Sequence, residues 1–233
     1  MQTPYSSTRK EAAEMAEQLM EQSEHKSTRT GEPVHLRRSP LAHLAEAIRG
    51  GEVAGERGVA LREVPFLTMV GLRAEPGSAA AAALEAAAGA PLPGKVGQVT
   101  GDPDGTAVLW LGPDEYLLVA PDRSALATDL AAALGGEPGA VVDLSANRTT
   151  LELSGPSARR VLEKGCHADL HPRAFGPGTA VSTQLATVPV LLWQTAERHD
   201  GPVYRIMPRA SFADFTARWL LDAMTEFAAP EVD

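Results

Sequence analysis

The chain of 233 residues carries 21 basic and 30 acidic side chains, a formal charge of −9, 44% hydrophobic residues and one cysteine. That acidic balance, with a pI near 5.2, excludes sequence-independent binding to phosphate backbones, which needs clustered Lys and Arg. One cysteine forms no internal disulfide, and neither a basic-then-apolar leader nor a run of roughly 18 apolar residues occurs, so a cytoplasmic protein with a self-sufficient core is expected.

Residues 1–38 are rich in Glu, Gln, Ser, Thr, Lys and Arg and hold Tyr5 as their one aromatic, so they read as a flexible N-terminal tail. Within it, Lys10 to Met20 is made of helix formers with a thin apolar face and reads as a transient helix, the alternative being a helix that docks on a partner. A short helix and linker follow over 39–58. Ser39 suits the N-cap and Pro40 the first helical position, Leu41, Leu44 and Ile48 share a face, and Gly50 and Gly51 end the helix. Of the charged residues, 13 basic and 21 acidic lie beyond residue 60, so the net negative charge belongs to the body.

From Val59 the pattern turns extended, and 59–228 reads as a duplicated α+β domain. The first unit is predicted as strands at 59–64 and 66–74, a helix at 78–89, strands at 95–100, 106–111 and 115–120, and a helix at 122–135. The second repeats this order: strands at 139–144 and 147–154, a helix at 156–164, strands at 179–185, 187–196 and 202–208, and a helix at 211–227. Ser78 and Ser157, which open the first helix of each unit, lie 79 residues apart, and the strand tyrosines Tyr116 and Tyr204 lie 88 apart. Gly155 and Pro156 suit the start of the 156–164 helix and Gly165 a left-handed residue at its end. Ser211 and Asp214 suggest a cap for the last helix, whose Phe212, Phe215, Trp219 and Leu220 are spaced to bury one face. On that reading, Phe215→Ala costs roughly 3–5 kcal/mol.

The loop from Gly165 to Gly178, GCHADLHPRAFGPG, holds the cysteine and two of the six histidines. Cys166 follows a helix C-terminus, where the dipole disfavours a thiolate, so a buried apolar residue packing on the preceding turn is expected rather than a nucleophile. His167, Asp169 and His171 form H-x-D-x-H, but Pro172 breaks any helix that would align the imidazoles, and backbone hydrogen bonds are expected of them rather than a metal. Asp143 and Arg148 flank a strand-to-strand turn and read as an ion pair or turn contact, with a carboxylate ligand on Arg148 as the alternative. Neither G-x-G-x-x-G after a strand, nor G-x-x-x-x-G-K-[ST], nor G-x-S-x-G occurs. No catalytic, cofactor-binding or metal-binding residue is therefore assigned.

The blocks RSPLAHLAEA, GVALREVPFLTMVGLR, LWLGPDEYLLVAP, DLSANRTTLELSGPSARRVLEKGCHADLHPRAFGPG and RASFADFTARWLLDAM, in this order over about 39–227, resemble the gamma-subunit family of heterotetrameric sarcosine oxidases. The resemblance implies a fold like the folate-binding domain of aminomethyltransferases. It also implies a place beside alpha, beta and delta subunits in a complex that oxidatively demethylates sarcosine to glycine and passes the one-carbon unit to tetrahydrofolate. FAD, FMN, NAD, tetrahydrofolate and zinc then belong to the partner subunits, and this chain is a structural piece without a site of its own. The 165–178 loop and the 40–49 helix are expected at subunit contacts, through Leu44, Leu170, Arg173 and Phe175, because apolar side chains there would otherwise be stranded. The K-G-C at Lys164–Cys166 also resembles the cysteine motif of folate-dependent factors in iron-sulfur maintenance and RNA modification. A stand-alone folate-binding one-carbon transfer or repair factor is the alternative.

Overall fold

The structure, a computed structural model, describes residues 37–229. The expected tail lies outside the described residues except for Arg37 and Arg38, and so does the Lys10–Met20 stretch. From Ser39 the chain forms one compact unit. It opens with a 3₁₀ turn (Ala42–Leu44) that runs into helix α1 (Ala45–Gly50). Leu41, Leu44 and Ile48 are buried together, as their spacing predicts. Ser39 does not cap this helix. The chain enters through the 3₁₀ turn instead, and the Ser39 hydroxyl donates to Glu63 Oε2 at 2.6 Å.

The first unit holds β1 (Ala60–Glu63), β2 (Thr68–Arg73), α2 (Ala79–Ala88), β3 (Val99–Gly101), β4 (Ala107–Gly112), β5 (Glu115–Ala120) and α3 (Leu126–Leu134). The second holds β6 (Ala140–Asp143), β7 (Leu151–Ser154), α4 (Ala158–Glu163), β8 (Thr179–Leu185), β9 (Val188–Arg198) and β10 (Gly201–Pro208). It ends in α5 (Ala213–Met224), between the 3₁₀ turns Ala210–Phe212 and Thr225–Ala228. Local chemistry explains α2 well: its alanines are the strongest helix formers, Ser78 Oγ accepts the Ala81 N–H at 3.1 Å, and Gly89 closes it at φ 71°.

Two five-stranded antiparallel sheets result, ordered β3-β4-β5-β2-β6 and β8-β9-β10-β7-β1. The orders correspond unit for unit except at one edge, where each unit's first strand lies in the other unit's sheet. β1 pairs with β7, and β6 pairs with β2. Tyr116 and Tyr204 occupy matching places on β5 and β10, and burial raises the pKa of both phenols.

The core has three layers. Leu153, Val190, Leu192 and Ile206 of one sheet pack under α1, α4 and α5; Val70, Val108 and Leu118 of the other pack under α2 and α3; and Met69, Leu109, Leu117, Leu191, Trp193 and Met207 fill the space between the sheets. Sheets covered on both faces need apolar residues at every position, which is why the central strands read YLLVA and VLLW rather than alternating.

Three sequence expectations change in the second unit. Gly155 is not an N-cap, and α4 begins three residues later at Ala158. Gly155 (φ 114°) and Gly201 (φ 117°) bring two backbones into contact: a Cβ on Gly201 would lie 2.4 Å from the Gly155 carbonyl carbon. Gly165 lacks the left-handed φ expected of it and is needed for closeness instead, since a Cβ there would meet the Trp219 ring at 2.6 Å. On α5, Ser211 makes no side-chain cap, while Asp214 takes Arg218 at 2.9 Å and His43 at 2.7 Å. Those hydrogen bonds, Arg218 first, hold the Asp214 carboxyl below its ordinary pKa.

The face that α5 buries is Ala213, Thr216, Ala217, Leu220, Ala223 and Met224, while Phe212 and Phe215 are 42% and 46% exposed. Small residues let the helix lie close to the sheet, which turns the bulkier Phe pair outward. Phe215→Ala is therefore expected to cost less than about 1 kcal/mol in a denaturant melt, not the core-cavity penalty.

Candidate functional site

The chemistry of the inner sheet face starts from two charges inside apolar strands, Glu152 in LEL on β7 and Arg205 in VYRIM on β10. Antiparallel register sets Arg62 of β1, Glu152, Arg205 and Trp193 of β9 in one row across four strands. Arg62 reaches Glu152 Oε1 at 2.6 Å and Arg205 reaches Oε2 at 3.4 Å, so both carboxylate oxygens are engaged. Arg205 also stacks 5.3 Å from the Trp193 ring, donates to the Pro103 carbonyl and lies 3.4 Å from Asp104, both in the β3–β4 loop of the other sheet. Glu152 and Arg205 are 4% and 5% exposed. Each ion compensates the desolvation of the other, and the row ties the two sheets together. The sequence reading missed it; the signal was the presence of unexplained charges in otherwise apolar strands. Arg62, Asp104 and Arg205 border a cleft of about 240 Å³.

The 165–178 loop is held from within. Lys164 donates to the Ala223 carbonyl at the end of α5, pairs with Glu226 at 2.7 Å and lies 4.8 Å from the Phe227 ring, which Arg57 and Arg160 also approach at 5.4 Å. The lysine of the K-G-C run thus fastens the last helix. Cys166 packs against the helix-side core, and its N–H donates to the Leu162 carbonyl at 2.8 Å, the wrap-back expected past a helix end. Burial pushes its thiol pKa up, against smaller opposing hydrogen bonds from Ala168 and Thr183. Alkylation of Cys166 by iodoacetamide near neutral pH is expected to be slower in the folded protein than in urea, as read by mass spectrometry; equal rates would contradict this environment.

Asp169 Oδ1 accepts the His171 N–H at 2.9 Å, and His171 Nδ1 accepts the Arg173 N–H at 3.2 Å. Both side chains thereby shape the turn, while His167 is exposed. Among the described residues no group of three or more His, Cys, Asp or Glu is placed to share a metal ion.

The premise for placing Leu44, Leu170 and Phe175 at a subunit contact does not hold. None is stranded: they are 5%, 2% and 2% exposed, packed in the chain's own helix-side core, with Phe175 6.3 Å from the Tyr204 ring. The loop folds back over β10 because its apolar residues find the sheet instead of a neighbour. Arg173 is exposed.

Asp143 makes a turn contact and Arg148 a long-range one, so the two do not pair with each other. Asp143 accepts from the Ser145 N–H and hydroxyl, and Arg148 donates to the Met207 carbonyl at 2.9 Å. Arg148 lines a second cleft, of about 430 Å³, with His167, Ser182, Thr183, Gln184 and Arg209.

Helices outside two packed antiparallel sheets, in a duplicated unit, define the architecture of the aminomethyltransferase folate-binding domain. The chain aligns with the glycine cleavage system aminomethyltransferase T from Bartonella henselae at a TM-score of 0.58 and 18% identity, over 80% of this chain and 57% of that one. A family model described as sarcosine oxidase, gamma subunit family, matches residues 71–226, and the chain belongs to that family. Sarcosine oxidase subunit gamma from Corynebacterium sp. (strain U-96) is 60% identical over 197 residues, 84% of this chain and 94% of the relative. The Arthrobacter sp. subunit is 59% identical over 201 residues, 86% and 96% of the two chains. A chain of the heterotetrameric sarcosine oxidase from Corynebacterium sp. U-96, solved in complex with pyrrole 2-carboxylate, superposes at a TM-score of 0.81 with 60% identity, over 85% of this chain and all of that one.

Proposed function

We propose that the chain serves as the gamma subunit of a heterotetrameric sarcosine oxidase, as a structural piece rather than a catalyst. The observation that carries this reading is the correspondence of 85% of this chain with the whole of one chain of the heterotetrameric enzyme. It is supported by the duties of the chain's reactive groups: Lys164 fastens α5, burial pushes the Cys166 thiol pKa up, and Asp169 and His171 shape a loop. The complex converts sarcosine to glycine and hands its one-carbon unit to tetrahydrofolate. FAD, FMN, NAD, tetrahydrofolate and zinc sit in the alpha, beta and delta partners. No helix among the described residues is long and apolar enough to cross a membrane, and the complex works in the cytoplasm.

The outer surface of the 165–178 loop, led by the exposed Arg173, faces a partner. Co-expression with the partner chains is expected to yield one assembly containing this subunit in equimolar amount, and Arg173→Glu is expected to weaken it on size exclusion. A chain that stays alone beside its co-expressed partners, or binds tetrahydrofolate at micromolar concentration by itself, would overturn the reading in favour of the stand-alone folate factor.

A further inference from the structure

Among the described residues, the half-buried Arg148 differs from the other buried or half-buried arginines in having no carboxylate beside it. Arg57 approaches Glu226 at 3.9 Å, Arg159 approaches Glu197 at 3.4 Å, and Arg205 approaches Glu152 and Asp104, each at 3.4 Å. Arg148 and Arg209 have each other. Their backbones are bridged between the start of β7 and the end of β10, and Asp and Glu are absent from the cleft lining. Arg148 is half-buried and spends one N–H on the Met207 carbonyl; the Arg209 guanidinium has no hydrogen bond or ion pair among the described residues. Burial, with the neighbouring charge of Arg209 second, lowers the pKa of Arg148; Arg209 itself is exposed, and among the described residues no carboxylate lines the cleft beside the pair. His167, Ser182 and Gln184 add polar side chains to the lining, beside Thr183, whose hydroxyl is engaged by Cys166, and the apolar Pro189 and Val190.

We propose that this cleft binds a small organic dianion, a dicarboxylate, with its carboxylates held by the Arg148–Arg209 pair and the donors around His167. The planar guanidinium fork matches a carboxylate. The volume of about 430 Å³ suits a small metabolite and exceeds what inorganic phosphate fills. A zwitterionic amino acid is disfavoured, because its ammonium group would meet two guanidiniums and no carboxylate.

The test is equilibrium binding of radiolabelled succinate to the assembled complex, with glycine and inorganic phosphate as competing probes. The wild-type complex is expected to hold one equivalent more succinate than a complex carrying Arg209→Gln, or to bind it at least about tenfold more tightly. Arg209→Lys keeps the charge without the fork, is expected to fall between them, and gives the reading if the Gln variant does not assemble. Identical succinate binding by wild type and variants overturns the site. An Arg209-dependent site for phosphate or glycine but not succinate overturns the dicarboxylate assignment. Assembly, scored by size exclusion, tests the gamma-subunit reading independently.

Discussion

Glu152→Ala is expected to lower the unfolding free energy by about 3 kcal/mol, the penalty for removing the buried partner of Arg205 and leaving it the solvent-exposed Asp104 alone. Arg205 is 5% exposed and faces the other sheet, so it cannot turn to water without pulling the β3–β4 loop contacts apart. Arg62 loses the same partner at little cost, because its side chain is 62% exposed. Chemical denaturation monitored by the Trp193 environment would measure the loss. The double variant Glu152→Leu with Arg205→Met removes both ions and is expected to be more stable than Glu152→Ala alone, since apolar residues of similar size replace buried pairs well. A single variant losing less than about 1 kcal/mol would mean that water reaches the row and that it does not bind the sheets together.

Gly201→Ala is expected to have a comparable effect through a different cause. Its φ of 117° is open to glycine and strained for alanine, and the added carbon would sit 2.4 to 2.7 Å from backbone atoms of Gly155 and Pro156. Neither obstacle is a side chain that can swing aside. Backbone strain and forced displacement together come to about 3–5 kcal/mol, a fall in Tm on the order of 10 °C for a domain of this size. A thermal scan read by circular dichroism measures it. At Gly136, where a Cβ meets nothing within 4 Å, alanine is expected to leave the transition close to that of the wild type.

The fold was largely legible because its local signals agree with one another. Ser78 and Gly89 bracket α2 as their chemistry dictates, the apolar central strands fall where two-sided burial requires, and the repeat of tyrosines marks equivalent strands. What escaped was set by partners far away in the chain. The letters of α5 show an amphipathic helix, yet choosing between the Phe212–Phe215 side and the Ala213–Ala217 side depends on how near the sheet lies, which no window of the sequence contains. Gly155 and Gly165 punctuate a helix on paper, but Gly201 and Trp219 are what they accommodate.

The candidate site divides in the same way. Arg148 stood out at the turn, but Arg209, 61 positions later, is brought beside it only by the bridge between β7 and β10. Glu152, Arg205 and Arg62 were visible as charges in strands, while their common row depends on register across two pairings. Leu170 and Phe175 looked orphaned because the loop's return path over Tyr204 is a tertiary fact.

The exchange of β1 and β6 between the sheets makes the two repeats inseparable. A fragment ending near residue 138 would leave Val70 and Leu72 of β2 bare along an unpaired edge and would strand β1 without β7, inviting aggregation. Cleavage between the repeats is therefore expected to yield no autonomous half, and melting of the intact protein is expected to proceed as one all-or-none transition even though the chain carries its motif twice.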